Sequence, residues 1–314
     1  MVDILLATYN GEKFIKDQIN SILEQNYDDW HLIIRDDNSQ DNTVNILKNY
    51  QLNHPTKIDI HIDKIGTGSA KENFFKLMKL SKSEYIMFCD QDDLWLQDKI
   101  SVCLNGMIEL EKTCRKQIPL LVHSDLTVVD QQLNLISPSL FQYQKLNYKR
   151  DRLNNLLCQN IVTGCTMLIN KTLLNAIIRY SNFDNMNDCI MHDWWCALIA
   201  ASLGKIKFID KSTILYRQHN YNQIGAKNIS SIKYIIKKLL KERFIIQKNI
   251  NDTYKQTQLF LNLYEEDLIT ENIKILSSYI NIQHNNKINK IINLYKYGFI
   301  KYGFFRAFGH LLFV

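Results

Sequence analysis

Apolar residues in the first hundred positions gather in short runs, continuous in three cases and alternating with polar residues in one, KIDIHI. VDILLAT (2–8), WHLIIR (30–35), KIDIHI (57–62) and YIMFC (85–89) are each five to seven residues long, the length of a strand buried on both faces. Between them the apolar positions fall at helical spacing: Phe14, Ile15, Ile19, Ile22 and Leu23, then Ile46 and Leu47, then the stretch 71–80. A turn at Asn10-Gly11 follows the first strand. The second runs into DDNSQDNT, rich in side chains that cap helices. Strand and helix alternating through short links predict a parallel sheet covered on both faces.

The same reading continues downstream. A helix is predicted over 96–111, a strand at PLLVHSDLTVVD (119–130), and a loop with a short helix over 139–160. NIVTGCTMLI (160–169) reads as a strand whose glycine marks a close approach of backbone or ligand. MHDWWCALIAASLG (191–204) reads as a helix with Asp193 in its first turn, and KIKFIDKSTILYRQH (205–219) as a strand or hairpin. Past about 225 the pattern turns helical and basic, at SIKYIIKKLLKERF (231–244) and around 259–280. We therefore divide the chain into an α/β domain over 1–226 and a helical, basic region over 227–314.

Composition refines this picture in three respects. With 314 residues, 46% hydrophobic and 22% charged, the chain is ordinary for a soluble protein and long enough for one large α/β domain with an appendage. Its seven cysteines are odd in number and contain no C-x-x-C pair, which argues for reduced thiols rather than disulfides or zinc. The first residues, MVDILLATYNG, carry no basic leader, and no apolar run reaches the roughly 18 residues of a membrane span. A cytoplasmic protein is expected. The charge is uneven: residues 227–314 hold 14 of the 38 Lys and Arg but six of the 32 Asp and Glu.

Polar residues cluster where the strands end, at Thr8-Tyr9-Asn10, Asp36-Asp37 and Asp90-Gln91-Asp92-Asp93. In open α/β sheets ligands bind beyond the carboxyl ends of the strands. Asp90 and Asp92, two apart in an extended turn, suit a hard divalent cation, whereas the competing reading makes Asp92 or Asp93 the cap of the next helix. Asp37 suits a ribose or a pyrimidine N–H, with Ser39 or Asp41 as helix cap. No G-x-G-x-x-G follows the first strand and no G-x-x-x-x-G-K-[ST] occurs, which disfavours dinucleotide-fold and P-loop chemistry. Asp193 is either a helix N-cap or a general base raised by a partly apolar pocket. In YRQHNYNQIG, Arg217, His219 and Asn222 suit a diphosphate or a metal, or else a solvated loop.

Taken in order, ATYNGEKF, IIRDDNSQDNT, MFCDQDDLW, GCTMLI, HDWW and LYRQHNYNQIGA resemble the family-2 glycosyltransferases of GT-A fold. More narrowly, they are similar to bacterial rhamnosyltransferases of surface-polysaccharide synthesis. The resemblance covers about residues 2–227 and implies a Rossmann-like nucleotide-diphospho-sugar transferase fold. It implies that Thr8, Tyr9, Asn10, Glu12, Asp37, Lys71, Asn73, Asp90 and Gln91 contact the nucleotide. Asp90, Asp92 and His219 would hold Mn2+ or Mg2+ against the diphosphate, and Asp193 would be the catalytic base. Asp93, Trp95, Gly164, Cys165, His192, Trp194, Arg217 and Asn222 would surround the diphosphate and acceptor. GTGSAKENF departs from the family's G-x-x-x-A-R-N, and His192-Asp193 stands where Glu-Asp is usual. The absence of Q-x-x-R-W implies addition of a single sugar.

The implied reaction is inverting transfer of L-rhamnose from dTDP-β-L-rhamnose to a hydroxyl of a polysaccharide or polyprenyl-linked oligosaccharide. A UDP-hexose transferase of the same fold is the alternative, and a non-catalytic nucleotide-sugar-binding protein a more distant one. A sugar-phosphate nucleotidyltransferase would need a Gly-rich, Arg-bearing loop after the first strand, which TYNGEKF is not. No Asp/Glu pair supports glycoside hydrolysis better than it supports the metal reading. The final twenty residues interleave Lys296, Lys301 and Arg306 with eight aromatics. Such a segment either lies in the anionic headgroups at the inner face of the cytoplasmic membrane or packs on the catalytic domain. Nucleic acid is not an expected partner, since the catalytic face is acidic.

Overall fold

The computed structural model describes residues 1–114, 117–180, 186–219 and 243–314. Four strands, β1 (Val2–Thr8), β2 (Trp30–Asp36), β3 (Ile58–Ile62) and β4 (Tyr85–Cys89), pair in parallel in the order β3-β2-β1-β4. They are linked by helices α1 (Ile15–Leu23), α2 (Thr43–Asn53) and α3 (Ala70–Leu80). After β4 come β5 (Leu94–Trp95), α4 (Lys99–Thr113), β6 (Leu120–Val129) and β7 (Leu135–Ser137). The short helices α5 (Leu140–Tyr143) and α6 (Leu153–Leu156) precede β8 (Met167–Asn170), α7 (Lys171–Tyr180), α8 (His192–Leu203) and β9 (Lys205–Arg217). Among the described residues the sheet has nine strands and continues from β4 through β8, β6 and β9 to β5, with β7 paired to β6.

The expected parallel pattern therefore holds for the first four strands and gives way beyond them. β8 runs antiparallel to both β4 and β6. Most of the strand expected over 160–169 is absent: Gly164–Thr166 forms a 3-10 turn and extended pairing begins at Met167. Local side-chain bonds divert the backbone there. Asn160 Oδ1 accepts from Val162 N, its Nδ2 donates to Val162 O, and Thr166 Oγ1 donates to Thr163 O. The helix expected from residue 96 starts at Lys99 instead, because Leu94 and Trp95 pair with Leu215 and Ile214 of β9. The 205–219 stretch is one strand, not a hairpin, and its pairing with β6 shifts register around Asp125.

Each sheet face carries an apolar layer. One unites Ile4, Ile19, Leu32, Met87, Ile100 and Met107; the other joins Leu5, Phe75 and Phe88 to Trp195 of α8. A polar staple closes the foot of β1: buried Asp3 accepts from Ser81 Oγ, Lys82 N, Ser83 N and Ser83 Oγ at 2.7–3.1 Å.

Four further helices, α9 (Arg243–Tyr264), α10 (Thr270–Ile282), α11 (Lys287–Tyr297) and α12 (Phe304–Phe313), follow. The single helical stretch expected around 259–280 is broken by a 3-10 turn at Glu265–Asp267. The boundary expected at 226/227, and most of SIKYIIKKLLKERF, lie outside the described residues. Phe260, Tyr264, Leu276, Tyr279 and Phe299 from these helices enter the same core as Trp195. At the end of α11, Gly298 (φ 72°) caps the helix in left-handed conformation. Asn154 and Asn155 donate to the Tyr297 and Gly298 carbonyls, and Arg150 donates to the Ile300 carbonyl. The final segment divides: Phe299 is buried, while Phe304 and Phe308 are exposed.

Candidate active site

A cavity of about 870 Å³ opens beyond the carboxyl ends of β1, β2 and β4. Thr8, Tyr9, Asp37, Asn73 and Gln91 form its strand-end wall. Gln91 Oε1 accepts from Thr8 Oγ1 (2.7 Å) and Tyr9 N (2.8 Å), which ties the ends of β1 and β4 together. Asp37 is fixed by Thr67 N (2.7 Å), Thr67 Oγ1, Gly68 N (2.9 Å) and Arg35 Nη1 (3.2 Å). Burial works to raise its pKa, but these donors outweigh it and hold the carboxyl below its ordinary value.

Asp90 and Asp92 enter the cavity from the end of β4, and Asp193 enters from the first turn of α8. Burial, then the charges of Asp92 and Asp193, push Asp90 up to about 7. Asp193 is also raised to about 7, by burial, although Trp194 N (2.5 Å) and Gly164 N (3.1 Å) donate to its two oxygens. Asn160 Nδ2 lies 3.3 Å from Asp193 Oδ1. Gly164 must lack a side chain, because a Cβ there would stand 2.8 Å from His192 Nε2. The His192 ring lies 4.0 Å from that of Phe74 in a tilted arrangement, and burial lowers its pKa to about 3. It stays neutral, and neither ring nitrogen has a hydrogen-bond partner among the described residues.

Three carboxylates facing one cavity repel one another, a repulsion that a divalent cation between them would relieve. Asp90 and Asp92 supply the oxygen donors that Mg2+ and Mn2+ prefer. Asp90, Asp93 and Cys165 also converge, but that trio does not suit a hard cation. Burial first, then Asp93 and Asp90, push the Cys165 thiol well up, so it remains protonated.

A family model described as "Glycosyl transferase family 2" matches residues 3–176. The chain belongs to glycosyl transferase family 2. One curated relative, a dTDP-rhamnosyl transferase (RfbG) of Shigella flexneri, is 33% identical over 235 residues, or 73% of this chain and 76% of the relative. A UDP-Glc:alpha-D-GlcNAc-diphosphoundecaprenol beta-1,3-glucosyltransferase (WfgD) of Escherichia coli is 27% identical over 56% of this chain and 62% of its own length. Among solved structures, S. aureus TarS 1–349 in complex with UDP-GlcNAc superimposes with TM-score 0.54 at 14% identity, covering 95% of this chain and 92% of that one. A mannosyltransferase of Pyrobaculum calidifontis in complex with GDP-Man and Mn2+ gives TM-score 0.50 at 12% identity, covering 99% and 84%. The fold is GT-A, and the family's donor is a nucleotide sugar.

Within this family-2 architecture, eleven expected site residues line the cavity: Thr8, Tyr9, Asp37, Asn73, Asp90, Gln91, Asp92, Gly164, His192, Asp193 and Trp194. Others stand behind its wall. Asn10 and Glu12 organise the loop after β2, Asn10 Oδ1 accepting from Gln40 N and Glu12 Oε2 from Asn42 N. Lys71 Nζ reaches away from the strand ends to the carbonyls of Met186 (3.1 Å), Asn187 (3.5 Å) and Cys189 (2.7 Å). Asp93 alternates away from Asp92 and takes the Arg217 backbone N–H. Trp95 is 1% exposed and belongs to the core beneath the site. Cys165 is likewise buried. Arg217 is a rivet, with Nε on the Asp92 carbonyl, Nη1 on Gln131 O and Nη2 on Asp17 Oδ2. His219 Nε2 sits 2.9 Å from Asp92 Oδ2, its ring stacked on Phe14, so it contacts that carboxylate without lining the cavity itself. Asn222 lies outside the described residues.

The cavity also includes residues that the sequence motifs did not assign to it. Asn160 touches Asp193, and Lys301 and Arg306 come from the C-terminal segment. Their only mark in the sequence was basic character, which did not distinguish a cavity wall from a surface.

Proposed function

We propose that this chain is an inverting rhamnosyltransferase that moves one L-rhamnose from dTDP-β-L-rhamnose to a hydroxyl of a glycan or lipid-linked glycan. The observation that carries the reading is the presence of Asp193, raised to about 7, in the same cavity as the Asp90–Asp92 pair. A base near neutrality can take a proton from an attacking hydroxyl. Asp90 and Asp92 would hold Mn2+ or Mg2+, and when bound the cation supplies Lewis-acid stabilisation of the departing nucleoside diphosphate. Thr8, Asp37 and Asn73 would bind and orient the nucleoside. Asp193 would accept the proton of the acceptor hydroxyl as it attacks the anomeric carbon on the face opposite the leaving group. Phe74 and neutral His192 line the same cavity as that carboxylate.

The choice of rhamnose follows the dTDP-rhamnosyl transferase relative. The glucosyltransferase relative favours a second reading, a UDP-hexose donor, and its diphosphoundecaprenol acceptor supports a lipid-linked acceptor at the inner face of the cytoplasmic membrane. We assign catalysis to 1–226 and acceptor-side packing to 227–314. No described helix is long and apolar enough to cross a membrane. The test is a donor panel of dTDP-rhamnose, UDP-glucose, UDP-galactose and UDP-N-acetylglucosamine with Mn2+, read as donor hydrolysis and thermal shift. Selective response to dTDP-rhamnose is expected; preference for a UDP sugar would replace rhamnose by the second reading.

A further inference from the structure

Lys301 and Arg306 form part of the wall of a cavity that is also lined by Asp37, Asp90, Asp92 and Asp193. Neither is paired with a carboxylate among the described residues. Arg306 donates from Nη2 to the Gln144 carbonyl (2.7 Å) and from Nη1 to the Lys145 carbonyl (3.3 Å), which leaves three of its five N–H groups uncommitted. Lys301 makes no hydrogen bond or ion pair with any described residue. Burial, and secondarily the neighbouring Arg306 charge, pull its pKa down, and burial pulls Arg306 down as well. Two desolvated like charges side by side are unfavourable unless an anion joins them.

The position of the pair narrows the anion. Both come from the C-terminal segment, whereas Asp90 and Asp92 follow β4 at the strand ends, where a donor diphosphate belongs. They stand on the side of the base. Gln159 Oε1 accepts from Tyr302 N (2.6 Å), fastening the segment between Lys301 and Arg306, while the adjacent Asn160 contacts Asp193. A molecule presenting a hydroxyl to Asp193 therefore brings its next few atoms toward Lys301 and Arg306.

We infer that Lys301 and Arg306 form an anion subsite on the acceptor side of the cavity, built for a phosphate or diphosphate carried by the acceptor. This deepens the transferase reading and rests on it only for which side is the acceptor's. The subsite requires the C-terminal segment to be docked, so that segment completes acceptor recognition as well as covering the core.

Calorimetric titration of the full chain in EDTA, which suppresses the cation-dependent end, tests this with decyl diphosphate and inorganic pyrophosphate as probes. Lys301→Met keeps the aliphatic bulk and is the cleaner variant; Arg306→Ala also releases two loop carbonyls. Each should weaken decyl diphosphate by on the order of tenfold, the loss of one charged contact. Binding of dTDP or UDP with Mn2+ should stay within about twofold, since it uses the other end. Tighter binding of decyl diphosphate than pyrophosphate would assign the site to a lipid-linked anion; equal binding would assign it to the phosphate group alone. Both outcomes support the subsite. No binding of either probe, or equal binding by wild type and Lys301→Met, overturns it. Should wild type discriminate the probes but bind no nucleotide with Mn2+, the donor reading fails and the subsite stands.

Discussion

Replacing Asp193 by Asn removes an ionisable proton acceptor while changing almost no volume, and two observables then separate. The carboxyl rises from an ordinary 3.8 to about 7 in the folded chain. An acid with a raised folded pKa binds more protons folded than unfolded between those values, so stability falls as pH climbs from about 4 to 7 and is level above. At about 1.4 kcal/mol per pKa unit, holding the charge costs up to roughly 4 kcal/mol at pH 8. Asn carries no such cost, but it offers one oxygen where Asp offers two. Trp194 N and Gly164 N both donate to this side chain, and the donor left facing an amide N–H costs about 1–2 kcal/mol. In EDTA, Asp193→Asn should therefore be more stable than wild type by roughly 2 kcal/mol at pH 8. Below about pH 5, where Asp193 is protonated, it should be equal or less stable. Urea denaturation at several pH values measures the difference. Transfer should fall by at least about a hundredfold with nucleotide binding nearly intact, and wild-type kcat/KM should rise with pH up to about 7. A stability difference independent of pH between 5 and 8 would refute the raised carboxyl, and undiminished transfer would refute its role as base.

Asp92→Ala should weaken Mn2+-dependent nucleotide binding at least about tenfold, read by calorimetry with and without EDTA; equal loss in both conditions would point to misfolding instead. Asp3→Ala orphans two hydroxyls and two backbone N–H groups at the foot of β1 and should cost about 2–4 kcal/mol in chemical denaturation. Hydrogen bonds hold the Asp3 carboxyl below 3.8 against the opposing effect of burial. Its contribution is present above that value and is lost as pH falls through the lower folded pKa, so the Asp3→Ala penalty should shrink only in strong acid. Phe304 and Phe308 are exposed beside the basic tail; the full chain should float with anionic liposomes, and Phe304→Ser with Phe308→Ser should reduce flotation at unchanged melting temperature. Equal flotation of the two would remove the tail from membrane contact.

The first half of the sheet was legible because β1, β2 and β4 are largely apolar runs ending in polar residues, with β3 marked by alternation instead, so elements and strand-end chemistry are written in the same few positions. The antiparallel entry of β8 was not, because Asn160 and Thr166 settle that backbone through bonds between side chain and main chain that apolar periodicity does not record. Asp93, Trp95 and Cys165 adjoin cavity residues in sequence, yet all three are buried: Trp95 within β5, Asp93 just before it and Cys165 in the 3-10 turn before β8. Lys301 and Arg306 were illegible for the opposite reason, since only the packing of α9–α12 on the sheet brings them to the cavity.

Lys71 splices two parts of the molecule to which the proposed reaction assigns different substrates. Its ammonium, on the helix that begins beside the nucleoside wall, grips three carbonyls of the loop leading into the helix that carries Asp193. The two parts consequently cannot drift apart without surrendering those bonds. Kinetic defects from loosening this joint would appear in turnover and in apparent affinity for both substrates together, and an uncharged Lys71, by mutation or acylation, would uncouple them at a distance from either ligand.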